Sequence, residues 1–174
     1  MRKLLDTIYL VTCWASAAII LGIALLVSTQ VLLNVTTRVF DLPLPSTIPS
    51  YADFAGFMLA AATFLAMPYT FRSAGHIRVT LITARLPGKG ALVAEVLALI
   101  VAAGLSGYAC YYIFALVAES WHYNDTSSGM IPIPLWMPQS VMALGMSLLC
   151  LAILDTLIGT LRAGHPIIEN AEEV

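Results

Sequence analysis

Long apolar runs without a charged side chain dominate this chain, and short polar segments separate them. Four runs contain no Asp, Glu, Lys or Arg: Thr7–Thr37, Phe54–Phe71, Val96–Ala118 and Thr126–Leu154. They are 31, 18, 23 and 29 residues long. A helix needs about 20 apolar residues to cross the ~30 Å hydrocarbon core of a bilayer. The pattern therefore predicts four membrane-spanning helices, which we place at residues 6–34, 52–71, 91–118 and 135–161.

The overall composition agrees with this pattern. Hydrophobic residues make up 60% of the 174 residues and charged residues 10%, whereas soluble domains contain about 25% charged residues. We predict an all-α integral membrane protein whose single membrane domain covers residues 1–174. The polar tail, residues 164–174, is expected to be mobile.

The basic residues indicate how the spans are oriented. Seven of the eight lie before span one, between spans two and three, or after span four: Arg2, Lys3, Arg72, Arg78, Arg85, Lys89 and Arg162. Arg38 alone lies in the other set of loops. Because short cytoplasmic loops carry an excess of Lys and Arg, both termini are predicted to be cytoplasmic.

The segment between spans two and three contains Val79, Ile82 and Leu86 at helical spacing. We predict a short amphipathic helix over residues 76–87 on the cytoplasmic membrane surface, with His76 and Arg78 directed towards lipid headgroups. A simple loop that returns the chain to the membrane is the alternative.

Span three carries small residues at four-residue intervals, with Gly107 beside them: Ala94, Ala98, Ala102, Ser106 and Cys110. In lipid, helices associate where small residues let their backbones approach closely. This small-residue stripe is therefore a predicted packing face. It could pack within the four-helix unit or against another subunit.

The second span opens with Ser50-Tyr-Ala-Asp53, which resembles a capping box with Asp in its last position. Asp53 in the first turn would also complement the helix dipole. The alternative is that Asp53 pairs with Arg38 or with a partner subunit at the membrane surface.

Glu95 and Asp155 are the two carboxylates that can enter spans, each near the cytoplasmic end of its helix. We predict that they pair with Arg72, Lys89 or Arg162. A proton-coupling role is the alternative, but such a role favours a position near mid-membrane.

The chain lacks the residues that would support chemistry of its own. The three histidines, His76, His122 and His165, fall outside the predicted spans, which argues against a haem-bearing membrane cytochrome. No phosphate-binding loop, nucleophile elbow or zinc-helix motif is present. No basic face exists to bind nucleic acid. We predict no enzyme activity, cofactor or metal.

Two loop motifs identify a family resemblance. They are the segment from Arg72-Ser-Ala-Gly-His76 to Leu-Pro87, and Ser128-Gly-Met-Ile-Pro-Ile-Pro-Leu-Trp136-Met-Pro138. With Asn34-Val-Thr-Thr-Arg38-Val-Phe40 after span one, they resemble the small (DctQ-like) membrane subunit of tripartite ATP-independent periplasmic (TRAP) transporters. The family often has two adjacent acidic residues at the start of span two, whereas here Ala52 precedes a single Asp53.

The resemblance implies a multi-pass protein of the bacterial inner membrane with two protein partners besides membrane lipid. One is a large membrane subunit that holds the substrate and sodium sites. The other is a periplasmic substrate-binding protein that delivers an organic acid. The loop between spans three and four would help receive the binding protein, and its candidate docking residues are Asp125, Ser127, Ser128, Gly129 and Met130.

The leading hypothesis is an accessory scaffold subunit of a sodium-coupled organic-acid importer. The alternative is a stand-alone four-helix transporter that acts as a homodimer. That alternative requires Glu95 or Asp155 to lie in a water-accessible central cavity.

Overall fold

The computed structural model describes residues 2–40, 45, 47–73 and 88–164. It contains four α-helices, which are α1 (Arg2–Phe40), α2 (Tyr51–Arg72), α3 (Gly88–Tyr123) and α4 (Trp136–Ala163). All four are long and apolar enough to cross a membrane, and the described residues include no β-strand. The predicted all-α fold with four transmembrane helices is confirmed. The predicted interfacial helix at 76–87 and all but the first residue of the tail lie outside the described residues.

The four helices pack side by side in the order α1, α2, α4, α3. Extensive contacts join α1 to α2, α2 to α4, and α4 to α3. No other pair of these described helices packs extensively, so α1 and α3 lie at the two edges of the row. Each edge helix therefore has one helical neighbour in this chain and leaves a broad face for lipid or for another protein.

The contacts between helices are made largely by small and hydroxylated side chains. Ala61, Ala62, Ala143 and Ala152 are buried, whereas large apolar residues such as Trp14, Leu25 and Leu105 are more than 60% exposed. Between α1 and α2, the Ser16 hydroxyl donates a 2.7 Å hydrogen bond to the Ala62 carbonyl. This distribution suits a bilayer, where apolar side chains face lipid and close backbone approach holds helices together.

The start of α2 differs from the predicted capping box. Ser50 precedes the helix in a left-handed conformation, with φ 55°, and its side chain makes no capping hydrogen bond. The prediction was wrong because the Ser50 hydroxyl has another use: it accepts a 2.9 Å hydrogen bond from the Ile131 amide. Asp53 does lie in the first turn of α2.

Candidate functional site

Arg72, in the last turn of α2, lies between carboxylates from two other helices. Its Nη2 is 3.4 Å from Asp6 Oδ1 of α1, and its Nη1 is 3.4 Å from Asp155 Oδ2 of α4. Nη1 also donates a 3.3 Å hydrogen bond to the Thr156 hydroxyl. The guanidinium offers five donors in a rigid fork, so one side chain can join three helices. We call Arg72, Asp6, Asp155, Thr156 and Tyr9 the Arg72 cluster.

The side chains of the Arg72 cluster range from half-exposed to fully buried. The Asp6 side chain is 54% exposed, whereas Tyr9 is 1% exposed and Thr156 is completely buried. The Tyr9 hydroxyl lies within range of the charges on Asp155, Arg72 and Asp6, and it has no hydrogen-bond partner among the described residues. The cluster therefore closes one end of the helix row, with charge at the surface and hydroxyls inside.

At the other end of the row, the loop between α3 and α4 folds into a compact turn. The Ser127 amide donates to the Ile133 carbonyl at 2.9 Å, and the Leu135 amide donates to the Asp125 carbonyl at 2.9 Å. The Ser127 hydroxyl also accepts a 3.1 Å bond from the Ile133 amide. We call residues 124–135 the α3–α4 loop. These hydrogen bonds within the loop define the shape of its turn.

The α3–α4 loop docks on the N-terminus of α2. Ile131 donates to Ser50, as described above, and Gly129 lies directly against the Asp53 carboxylate. A Cβ atom at position 129 would overlap the Asp53 carboxylate and the Ser50 hydroxyl, so a larger residue there would have to displace these side chains. The first carboxylate of α2 is thus part of the seat for the loop.

A further contact fixes the chain ahead of α2. Gln30 is 6% exposed on α1, and its side-chain oxygen accepts a 2.7 Å hydrogen bond from the Ile48 amide. Beside the loop, the rings of Trp121 and Trp136 meet edge to face, with centroids 4.7 Å apart. These contacts join the ends of α1, α2, α3 and α4 on this side of the row.

The loop residues predicted for partner docking differ in exposure. Asp125, Ser128 and Met130 are exposed, and Met130 is 85% exposed. Ser127 and Gly129 are half-buried because they hold the turn and its seat. The structure therefore gathers these residues in one loop but divides them between an outward face and a structural base.

Two members of the small-residue stripe of α3, Ser106 and Cys110, lie on the side that packs on α4. Ser106 is 6% exposed, and Cys110 Sγ lies 3.4 Å from the Ser147 hydroxyl of α4. Ala94, Ala102 and Gly107 are half-buried, whereas Ala98 is exposed. At Ser106 and Cys110 the stripe therefore packs within the four-helix unit, and for its other residues both interpretations stay predictions.

The remaining candidate residues do not form a single site. Arg38 is exposed at the end of α1 and forms no ion pair with Asp53 within the described part of the chain. Glu95 is half-buried on α3. Asp155 lies against Arg72, which is one of the three basic partners that the sequence predicted for it. His76 and Arg78 lie outside the described residues.

Sequence reasoning missed Asp6, Tyr9 and Thr156 as partners of Arg72. A signal existed for Asp6, since it is an acidic residue immediately before the first apolar run, on the predicted side of Arg72. Thr156 and Thr160 lie one turn apart, with Asp155 beside Thr156, in a mostly apolar segment, which also marks a polar helix face. The burial of Tyr9 depends on how α1 packs, which the sequence alone does not show.

Metal and catalytic chemistry receive no support from these sites. Among the described residues, no group of three or more His, Cys, Asp or Glu side chains is placed to hold a metal ion. The charges described above lie towards the helix ends, and the middle of each span is uncharged. The Arg72 cluster and the seat of the α3–α4 loop both join helix ends.

Comparison with protein families decides the broader identity. Residues 27–163 match the family model described as "Tripartite ATP-independent periplasmic transporters, DctQ component". The chain belongs to the DctQ family. The matched region begins within α1 and ends at the last residue of α4, so it includes the α3–α4 loop and its seat. Searches of curated proteins and of solved structures found no match.

Membership of the DctQ family makes this chain a component of a tripartite transporter rather than a member of an enzyme family. A DctQ component works with a large membrane subunit and a periplasmic binding protein. Together with the four apolar helices, the family establishes a multi-pass membrane protein.

Proposed function

We propose that this chain is the accessory, scaffolding subunit of a sodium-coupled importer of organic acids in a bacterial inner membrane. The observation that carries the proposal is the DctQ match over residues 27–163, combined with spans that are uncharged at their centres. A subunit that moved ions itself would be expected to keep an ionisable group near mid-membrane. The transport chemistry is therefore assigned to the large subunit.

The contacts at both ends of the helix row support a scaffolding role. The Arg72 cluster joins α1, α2 and α4 at one end, and the α3–α4 loop fastens to the start of α2 at the other. Such cross-links resist relative movement of the helices. A rigid unit with two open edges suits a subunit that steadies a moving partner.

The orientation in the membrane follows from the loop charges. With both termini cytoplasmic, the α3–α4 loop faces the periplasm, where the binding protein arrives. We propose that the exposed part of this loop, including Asp125, Ser128 and Met130, contributes to binding-protein docking. Its fixed shape supports this role because a preorganised surface loses little conformational entropy on binding.

A stand-alone homodimeric transporter is less compatible with the observed contacts. That function needs a carboxylate that is free to bind and release a coupling ion. Asp155 lies against Arg72, whose positive charge would compete with a cation. Glu95 also has an interaction partner.

The test is to express the complete transporter with and without this chain. An affinity tag on the chain should retain the large subunit after detergent extraction, and omission of the chain should reduce substrate uptake at least tenfold. Full uptake in cells that lack the chain would show that it is not a required subunit. Failure to retain any membrane partner would contradict the proposed assembly.

A further inference from the structure

Three tyrosines with exposed side chains lie near the middle of the charge-free run of α3. Tyr108, Tyr111 and Tyr112 are 65%, 70% and 53% exposed. The charge-free run of this helix covers residues 96–118, so its midpoint is residue 107. With a rise of about 1.5 Å per residue, the Cα atoms of these tyrosines lie roughly 1.5 to 7.5 Å from that midpoint along the helix axis. The hydrocarbon core extends about 15 Å to each side.

This depth distinguishes these tyrosines from an interfacial aromatic belt, which lies at the level of the lipid headgroups. A hydroxyl in hydrocarbon has no water with which to form a hydrogen bond, and leaving it unpaired is costly. Contact with lipid alone therefore suits the apolar rings but leaves the hydroxyls without a hydrogen-bond partner. The hydroxyls call for a hydrogen-bonding partner.

The chain itself satisfies this requirement only in part. The Tyr108 and Tyr112 rings are 4.6 Å apart, and their hydroxyls are within hydrogen-bonding reach. Tyr111 meets the Tyr112 ring edge-on at 5.3 Å, and its hydroxyl forms no hydrogen bond within the described part of the chain. The side of α3 that carries Ser106 and Cys110 is the one that packs on α4.

We propose that Tyr108, Tyr111 and Tyr112 form the surface of α3 that contacts the large membrane subunit. This inference rests on the proposed function, which supplies the partner, and it adds the surface and the type of contact. The occupant is a transmembrane helix with small residues that make room for the rings. Its backbone carbonyls or short polar side chains accept hydrogen bonds from the hydroxyls.

The shape of the surface favours the large subunit over a second copy of this chain. In a two-fold pair, the same protruding rings would meet one another and hold the helix backbones apart. Helices in lipid instead associate by close backbone approach. The position of α3 at the edge of the helix row leaves this surface open to a different, complementary partner.

The first test places a photo-crosslinking amino acid at position 111 in the assembled transporter. The matched control carries it at position 21 on α1, because Leu21 is 62% exposed at the opposite edge of the row. We expect the large subunit to be captured at least ten times more efficiently from position 111 than from position 21. Capture of a second copy, capture of lipid alone, or equal capture from both positions would overturn the proposal.

The second test replaces the three tyrosines by phenylalanine, which removes the hydroxyls and keeps the rings. We expect the dissociation constant for the large subunit to rise about threefold per hydroxyl, which is typical of hydrogen bonds between membrane helices. Tyr123→Phe, at the exposed end of α3, should leave it unchanged, and the melting temperature of the isolated chain should not fall. Unchanged affinity of the triple variant would contradict the hydrogen-bonded contact.

The two tests separate this inference from the proposed function. If the wild-type chain retains no large subunit, the proposed function itself fails. If it retains the large subunit but position 111 captures nothing, only this inference fails.

Discussion

Gly145 of α4 packs directly against the backbone carbonyl of Phe64 in α2. A Cβ atom at position 145 would overlap the carbonyl carbon and oxygen of Phe64. The same carbonyl is the one that would accept a helical hydrogen bond from residue 68, but Pro68 has no N–H to donate. The close approach of α4 therefore occurs where the α2 backbone is unusually accessible.

Replacing Gly145 by alanine should force α2 and α4 apart. We expect Gly145→Ala to destabilise the chain by about 1–3 kcal/mol, the usual cost of overpacking, and to lower its melting temperature in detergent. Gly104→Ala is the matched control, because a Cβ at position 104 meets nothing within 4 Å. That control should be neutral or slightly stabilising, since alanine favours helix more than glycine does. Equal melting temperatures for the two variants would contradict the tight contact.

The Arg72 cluster should show coupled energetics. Arg72→Met leaves the half-buried Asp155 unpaired, and we expect a loss of about 1–3 kcal/mol, between the values for surface and buried ion pairs. Adding Asp155→Asn should restore part of that loss, because the uncompensated charge is then removed. A double-mutant cycle by chemical unfolding measures this coupling, and strictly additive effects would exclude it.

Asp6→Asn is the matched control within the same cluster. The Asp6 side chain is 54% exposed, compared with 30% for Asp155, so solvent already screens its interaction with Arg72. We expect an effect of about 0.5 kcal/mol or less. A loss as large as that of Arg72→Met would mean that the α1 contact, and not the α4 contact, dominates the cluster.

The seat of the α3–α4 loop depends on the Ser50 hydroxyl. Ser50→Ala removes the acceptor for the Ile131 amide, at a cost of about 0.5–1.5 kcal/mol. Hydrogen exchange at that amide should accelerate up to about tenfold. Ser128→Ala, at an exposed position in the same loop, should leave the rate unchanged. Equal protection of the Ile131 amide in both variants would show that the loop holds its position without Ser50.

Docking of the binding protein should depend on the exposed tip of this loop. Met130→Asp places a charge on a loop side chain that is 85% exposed, and we expect it to weaken uptake at limiting binding-protein concentration. Saturating binding protein should restore the maximal rate if only docking is affected. Uptake that remains normal at every concentration would remove the docking role.

The sequence was sufficient for the membrane fold because charge-free runs of 18 to 31 residues are a direct consequence of bilayer thickness. The order of packing was not predictable, since small residues occur on several helices and do not name their partners. Arg72 and Asp155 could be considered as a pair because the topology places both at the same membrane surface. The capping function assigned to Ser50 was wrong because its actual partner, Ile131, lies 81 residues away in the chain.

The most direct test of the accessory function is uptake into proteoliposomes that contain this chain alone, the large subunit alone, or both. Binding protein, a sodium gradient and radiolabelled organic acids are supplied in each case. The account predicts no uptake above empty liposomes for this chain alone, and full sodium-dependent uptake when both subunits are present. Robust uptake by vesicles that hold only this chain would contradict it.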